Sequence, residues 1–223
     1  MVLSTAPVGV LGGTFDPVHN GHLRLAMEMA TALNMAHVRL VPCARPPHRG
    51  APTASPGQRA KWIRVAVSTE PRLRLDDREL LRDGPSYTVD TLASMRKDMP
   101  DTPLCLIMGR DVFAKLPQWH QWERIFDSAH IVLIDRPDID ATLDPEASAA
   151  LAKRAVDDVQ ALHDTLCGHI YTYTPPPLAI SASYIRQLLA ENQSPRYLLP
   201  MAVLDDIMDA GVYQPQPATA ATQ

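Results

Sequence analysis

Val8-Gly-Val-Leu-Gly-Gly-Thr-Phe-Asp-Pro-Val-His19-Asn-Gly-His22 is the stretch that decides the fold of this chain. It opens with a short apolar run that ends at Gly12-Gly13, and His22–Asn34 then carries apolar residues at helical spacing. The pattern predicts a strand, a glycine-rich loop and a helix. Glycines let backbone N–H groups approach a phosphate chain, the helix N-terminus supplies the positive end of a dipole, and the two imidazoles can donate to phosphoryl oxygens. The stretch therefore indicates a site for a polyphosphate anion.

Strand and helix patterns alternate through the rest of the chain. The predicted strands are His37–Val41, Leu73–Leu75, Leu104–Met108, Ile131–Ile134 and Ile170–Tyr173. The predicted helices are Gly57–Ser68, Thr88–Met99, Ser183–Ala190 and Pro200–Ala210. This alternation predicts an α/β fold, a Rossmann-like doubly wound parallel sheet with a small C-terminal helical portion from about residue 181. Ligands are expected at the carboxyl ends of its strands.

The remaining segments complete the predicted organisation. Pro42–Pro56 is a proline- and arginine-rich loop too long to be a mere connector, and such loops often carry function. Ala141–Leu166 is acidic and alanine-rich, which predicts a helical, peripheral segment. We expect residues 1–213 to form a single domain and 214–223 to be a disordered tail.

Composition limits the class of protein. The 223 residues carry a formal net charge of −4, which disfavours non-specific binding to nucleic acid or to an anionic membrane. Cys43, Cys105 and Cys167 are widely spaced and lack any C-x-x-C, so neither a disulfide framework nor a zinc cluster is indicated. With no signal-peptide pattern at Met1–Pro7, we expect a soluble cytoplasmic protein without nucleic-acid or membrane partners, and a homo-oligomer is left open.

His19 and His22 have two other interpretations: they could be surface residues of a plain turn, or a metal pair at positions i and i+3. No cysteine or further histidine lies nearby in sequence to complete a zinc set. The dinucleotide fingerprint G-x-G-x-x-G is also absent, which weakens a hydride-transfer function. Nucleotide phosphate chemistry is the interpretation that remains.

The segment Gly12–His22 resembles the signature of the nucleotidyltransferase superfamily whose H-x-G-H motif binds ATP. More narrowly, the chain resembles bacterial nicotinate-nucleotide adenylyltransferases, because further family-like pieces follow in order. These pieces are Pro46-Pro-His-Arg49, Ser86-Tyr-Thr88, Gly109-Arg-Asp111, Trp119, Arg136-Pro137 and Ile180-Ser-Ala-Ser-Tyr-Ile-Arg186.

The resemblance implies transfer of AMP from ATP to nicotinate mononucleotide, with nicotinate adenine dinucleotide and pyrophosphate as products. It also implies direct in-line attack on the α-phosphate, with Mg²⁺ as cofactor held mainly by substrate phosphates and no protein metal site. The catalytic residues it implies are His19, His22 and Arg186. The ATP-binding residues it implies are Gly12, Gly13, Thr14, Phe15, His19, His22, Gly109, Asp111, Ile180, Ser181, Ser183 and Arg186. For nicotinate mononucleotide they are Gly13, Thr14, Arg49, Tyr87, Thr88, Trp119 and Arg136.

Several of these residues also have an ordinary structural interpretation. Ser181 could be a plain helix cap beside a solvated Arg186, and Asp111 could be another cap. Trp119 could be a packing residue, although we expect Trp122 to be the core tryptophan. Two other functions stay open: a transferase of the same superfamily with a phosphopantetheine or cytidylyl acceptor, and a nucleotide-binding sensor without turnover.

Overall fold

In the computed structural model, which describes residues 5–45, 51–135 and 142–214, seven parallel strands form one sheet. The strands are β1 (Val8–Gly13), β2 (His37–Pro42), β3 (Leu73–Leu75), β4 (Leu104–Gly109), β5 (His130–Ile134), β6 (Ala155–Val156) and β7 (Ile170–Tyr173). Their order across the sheet is β3-β2-β1-β4-β5-β7-β6, and every neighbouring pair is parallel. The predicted Rossmann-like parallel sheet is confirmed.

Helices connect the strands. They are α1 (Asn20–Ala32), α2 (Pro56–Ala66), α3 (Thr88–Asp98), α4 (Arg110–Phe113), α5 (Pro145–Arg154), α6 (Ala161–Asp164), α7 (Ala182–Ala190) and α8 (Met201–Asp209). Two 3₁₀ turns, Leu116–Gln118 and Trp122–Asp127, lie between α4 and β5. None of the helices in the described ranges combines the length and apolar character that crossing a bilayer requires.

Helices cover both faces of the sheet, as its buried strands require. Alternate strand residues face opposite sides: Leu11 and Ile107 pack with α1, α2, α7 and α8, whereas Val10 and Leu106 pack with α3, α5 and the second 3₁₀ turn. Gly9 lies on the first face, where a Cβ would come within 2.8 Å of Val38 Cγ2. The absence of a side chain there lets Val38 of β2, Met35 before it and Ile107 of β4 pack closely against β1.

The strand order reverses at β1. From β1 the chain passes through α1 and α2 to β2 and β3 on one side, and then returns through α3 to β4 on the other. Helices that leave neighbouring strands toward opposite faces open a crevice at the carboxyl ends of those strands. The crevice lies between the loop that follows β1, which ends at Gly12-Gly13, and the turn that follows β4, which ends at Gly109.

Two expectations need correction. The Ala141–Leu166 segment is not one helical region, because its described part, from residue 142, contains the edge strand β6 between α5 and α6. At the end of α5 the Arg154 guanidinium lies 4.1 Å from the centre of the Phe126 ring and donates to the Gly168 carbonyl, and the extended Ala155 then pairs with β7.

The core tryptophan is Trp62 and not Trp122. Trp62 is fully buried on α2, and its Nε1 donates to Asp206 Oδ2 on α8 at 2.7 Å. Trp122 is only half-buried, because the 3₁₀ turn that begins there lies at the edge of the second core cluster. Helical spacing places Trp62 on the apolar side of its helix, whereas it gives no such indication for Trp122.

Arg96, in the last turn of α3, joins segments at the amino ends of several strands. Its guanidinium donates to five carbonyl oxygens, those of Met99 (2.9 Å), Pro100 (3.3 Å), Thr102 (2.6 Å), Ser128 (2.8 Å) and Leu166 (3.0 Å). These carbonyls precede β4, β5 and β7. The cluster therefore stabilises the edge of the sheet opposite the crevice.

Replacing Arg96 with Met should lower the free energy of unfolding by about 2–4 kcal/mol, because several half-buried carbonyls lose a charged donor together. Urea denaturation of both proteins measures the difference. Arg124→Met is the matched control, since the Arg124 side chain bonds only Gln121 in the described part of the chain. A loss for Arg96→Met no larger than that of the control would contradict this assignment.

Candidate functional site

A cavity of about 890 Å³ lies at the carboxyl ends of β1 and β4. It brings together every residue predicted to bind ATP, from three separate parts of the chain. These residues are Gly12, Gly13, Thr14, Phe15, His19, His22, Gly109, Asp111, Ile180, Ser181, Ser183 and Arg186. We refer to it as the nucleotide cavity.

A second cavity of about 400 Å³ adjoins it and holds the predicted residues Tyr87, Thr88 and Trp119. The two cavities share Gly12, Gly13, Thr14, Gly109, Asp111 and Val112. A ligand bound in one cavity would therefore lie next to a ligand bound in the other, beside the loop after β1. We refer to the smaller one as the acceptor cavity. Arg49 and Arg136, also predicted for this site, lie outside the described residues.

The two motif histidines are stacked at the start of α1. Their ring centres are 3.7 Å apart with planes inclined by 23°, and the edge of the Phe15 ring contacts His22 with ring centres 4.9 Å apart. Gly21 lies beneath this stack, where a Cβ would be 3.0 Å from His19 Nδ1. The glycine of H-x-G-H therefore leaves room for the first imidazole to lie against the helix.

Burial controls the charge of both rings. Desolvation lowers the pKa of His19 to about 4, and desolvation together with the neighbouring His19 lowers the pKa of His22 to about 3. Both imidazoles are therefore neutral at pH 7, each with one N–H to donate. Among the described residues neither Nδ1 atom has a hydrogen-bond partner. Buried polar atoms without partners are unusual, which makes this stack a candidate ligand-binding point.

The N-terminus of α7 forms the opposite wall of the nucleotide cavity. Ser181 is a helix cap, because its Oγ accepts from the Tyr184 N–H at 3.2 Å, and it also lines the cavity. Arg186 is not a solvated side chain. Its Nη1 donates to the Asp16 carbonyl at 2.7 Å and its Nη2 to Ser183 Oγ at 3.3 Å, so the guanidinium is fixed against the loop after β1.

Asp111 lies where the two cavities meet. It is not a cap: the N-cap of α4 is Gly109, and Asp111 is an exposed residue of the first turn. A Cβ on Gly109 would be 2.5 Å from Asp111 Oδ1, so the carboxylate lies directly over the glycine. The adjacent Arg110 points elsewhere and pairs with Asp135 at 3.9 Å. Asp111 is therefore available to polar groups of a ligand that spans the junction.

The acceptor cavity has an apolar floor and a polar rim. Its rim begins at Tyr87, the N-cap of α3, whose ring stacks on His120 with 4.3 Å between ring centres. The N–H of Thr88 belongs to the first turn of α3, where donors have no partner within the helix. Trp119 is half-buried with its indole on the cavity wall, so it is not a core residue. A flat acidic ring would meet a stacking surface and free N–H donors here.

Sequence patterns missed part of both linings. Arg24, Leu25 and Glu28 of α1 and the Pro175–Leu178 segment also line the nucleotide cavity. Cys43, Glu79, Lys115, Gln118 and His120 also line the acceptor cavity. Helical spacing from His22 could have indicated Leu25, three positions on, but the other residues carry no motif that separates them from surface positions.

Comparisons with known proteins agree with this geometry. A profile described as cytidylyltransferase-like matches residues 10–188. A relative from Aeromonas salmonicida is 46% identical over 94% of this chain and 98% of its own length, and one from Pseudomonas syringae pv. tomato is 47% identical over 95% and 96%. Both carry the name "Probable nicotinate-nucleotide adenylyltransferase".

Solved structures show the same fold at low identity. The Plasmodium falciparum nicotinic acid mononucleotide adenylyltransferase, complexed with NaAD, aligns with a TM-score of 0.70 at 15% identity and covers 93% of this chain and 97% of its own. The profile match and the near-full-length relatives decide the assignment. The chain belongs to the nicotinate-nucleotide adenylyltransferases of the cytidylyltransferase-like family.

Proposed function

We propose that this protein transfers AMP from ATP to nicotinate mononucleotide and releases nicotinate adenine dinucleotide and pyrophosphate. The observation that carries the proposal is the pair of cavities that meet at Gly12–Thr14. One holds the H-x-G-H histidines and Arg186, and the other holds Trp119 and the start of α3. Phosphate-binding groups and a slot for a flat acid thus meet at one loop.

The nucleotide cavity supplies donors for a triphosphate. Neutral His19 and His22 each offer an N–H, Arg186 offers a cation, and the N-termini of α1 and α7 offer the positive ends of helix dipoles. A bound triphosphate would raise the pKa of both imidazoles, because a nearby anion favours their protonated form. These donors would stabilise the charge that develops on the α-phosphate during transfer.

The acceptor would provide its own nucleophile. Its phosphate has a second pKa near ~6 and is largely ionised at neutral pH, so no dedicated general base is required. A phosphate oxygen attacks the α-phosphorus, forms the new P–O bond and expels pyrophosphate as the α–β bridging bond breaks. Catalysis then depends on alignment and charge neutralisation. Asp111, at the junction, would bind ATP hydroxyl groups.

For the acceptor we propose that Trp119 stacks on the pyridine ring while N–H groups around Tyr87 and Thr88 receive its carboxylate. Gly13 and Thr14 would contact the acceptor nucleotide from the shared loop. Arg49 and Arg136 remain sequence predictions for this ligand, with a guanidinium suited to phosphate as the chemical reason.

Mg²⁺ is the proposed cofactor, and bound to the substrate phosphates it would neutralise their charge. Among the described residues no group of three or more His, Cys, Asp and Glu side chains is arranged to hold a metal ion. The residues present fit an ion that keeps its waters and is held chiefly by phosphate oxygens, as Mg²⁺ commonly is.

We also propose that residues 1–213 act as one domain, since α7 and α8 share a core cluster with β1.

Purified protein supplied with ATP, Mg²⁺ and nicotinate mononucleotide should release pyrophosphate and the dinucleotide in equal amounts. Chromatography of the products measures both. Parallel reactions with nicotinamide mononucleotide and with phosphopantetheine test the choice of acceptor. Formation of an adenylylated phosphopantetheine in the absence of the nicotinate dinucleotide would overturn the proposal.

His22→Ala should lower kcat by about 10²–10³-fold, the usual cost of removing one preorganised donor from a developing oxyanion. Steady-state kinetics at pH 7 measures it. His163→Ala is the control, because the His163 ring bonds only the Leu33 carbonyl in the described ranges and lies outside both cavities. A kcat for His22→Ala equal to that of the control would exclude a catalytic role.

Trp119→Ala should raise the KM for nicotinate mononucleotide about tenfold or more, because ring stacking contributes about 1–3 kcal/mol, while the KM for ATP stays unchanged. Trp119→Phe should recover most of the loss. Trp122→Ala removes a half-buried indole that does not line the acceptor cavity, and should leave this KM unchanged. Equal effects on the KM values of both substrates would contradict the stacking role.

A further inference from the structure

The Asp16 side chain, at the wall of the nucleotide cavity, accepts hydrogen bonds from two other segments of the chain. It belongs to the loop after β1 and is nearly fully buried. Its Oδ2 accepts from the Thr53 N–H at 3.0 Å, and its Oδ1 accepts from the Ala54 N–H at 3.0 Å and from the Tyr213 hydroxyl at 2.5 Å. One carboxylate therefore joins the phosphate-binding loop, the segment before α2 and the residues after α8.

Arg59 connects two of these elements a second time. It is fully buried on α2, where its Nη1 donates to the Thr14 carbonyl at 2.6 Å and its Nε to the Ala54 carbonyl at 3.3 Å. The loop after β1 thus contacts residues 53–54 through the Asp16 carboxylate, and α2 contacts the same loop through the Arg59 guanidinium. The third guanidinium nitrogen, Nη2, has no hydrogen-bond partner among the described residues, so Nε and Nη1 make the connection.

Tyr213 brings the far end of the chain into this cluster, 197 positions from Asp16. Asp206 on α8 accepts from Trp62 Nε1 and pairs with Lys61, which fixes α8 against α2. The Tyr213 ring then lies 6.0 Å from the Trp62 ring. Burial and the adjacent Asp16 carboxylate raise the pKa of Tyr213, so its hydroxyl keeps its proton and remains a donor.

The cluster is continuous with the groups proposed for catalysis. Arg186 donates to the backbone carbonyl of Asp16, and Asp16, Thr53 and Arg186 all line the nucleotide cavity. Asp16 is also close in sequence to His19, so a shift of its backbone would move the first imidazole. By contrast, Tyr213 does not line either cavity. Its effect on a bound nucleotide would therefore pass through Asp16.

We propose that Tyr213 is a positioning residue whose hydroxyl, through the Asp16 carboxylate, holds the Gly12–His22 loop and the Thr53–Ala54 segment in the arrangement that the ATP phosphates require. The inference rests on the proposed function only in taking ATP as the ligand of the nucleotide cavity. The last described residues of the chain thus take part in forming a site built around its first strand.

Tyr213→Phe removes only the hydroxyl and keeps the ring against Trp62. Calorimetric titration with ATP and Mg²⁺, without any acceptor, should show an affinity about tenfold weaker than that of the original protein, equivalent to about 1.4 kcal/mol. The KM for the acceptor should change less than the affinity for ATP, because Thr53 and His19 line only the nucleotide cavity, whereas Gly12–Thr14 line both cavities. Tyr171→Phe is the matched control: it removes a half-buried tyrosine hydroxyl with no side-chain partner in the described ranges.

A double-mutant cycle with Asp16→Ala, which removes both acceptor oxygens, tests the route of the effect. If the hydroxyl acts through Asp16, the double variant should bind ATP no more weakly than Asp16→Ala alone. Losses that multiply would overturn the proposal, as would a Tyr213→Phe protein that melts at a lower temperature but binds ATP normally. Because these titrations omit the acceptor, they decide the role of Tyr213 even if the protein makes no nicotinate dinucleotide.

Discussion

The parallel pairing of β1 with β4 is the constraint on which the site depends. On one side of this pair the chain adds β2 and β3, and on the other side it adds β5, β7 and β6. The loops that follow β1 and β4 therefore run in opposite directions and leave a space between them. Both cavities lie in the space this leaves, and their shared residues come from the ends of these two strands. One topological feature therefore sets the position of the two cavities relative to each other.

The electrostatics of the crevice are local. A formal charge of −4 would disfavour two phosphate-rich ligands if it were spread evenly. The donors instead come from helix N-termini, the anchored Arg186 and two imidazoles that burial keeps neutral. Neutral donors avoid the cost of burying charge in the free protein, and they act strongly in a water-poor site once an anion arrives.

The two edges of the sheet carry different polar clusters. At the amino edge, Arg96 binds backbone carbonyls that precede several strands, and the residues of this cluster line neither cavity. At the carboxyl edge, Asp16 and Arg59 bind the loop that forms the nucleotide cavity. In both clusters a charged group binds the backbone of neighbouring segments, but only the Asp16–Arg59 cluster is continuous with the nucleotide cavity.

Sequence alone determined six of the seven strands, the main helices and the glycine-rich loop after β1, because apolar periodicity and the spacing of Gly12–His22 are local properties. Sequence also singled out the residues around Gly109, Trp119 and Arg186, which line the two cavities, and their roles stay predictions, as do those of Arg49 and Arg136. Tertiary structure alone decided that Trp122 lies at the edge of a core cluster, that Ala155 joins the sheet, and that Tyr213 reaches Asp16. Such contacts join residues far apart in the chain, and no local pattern encodes a hydrogen bond that only folding brings within reach.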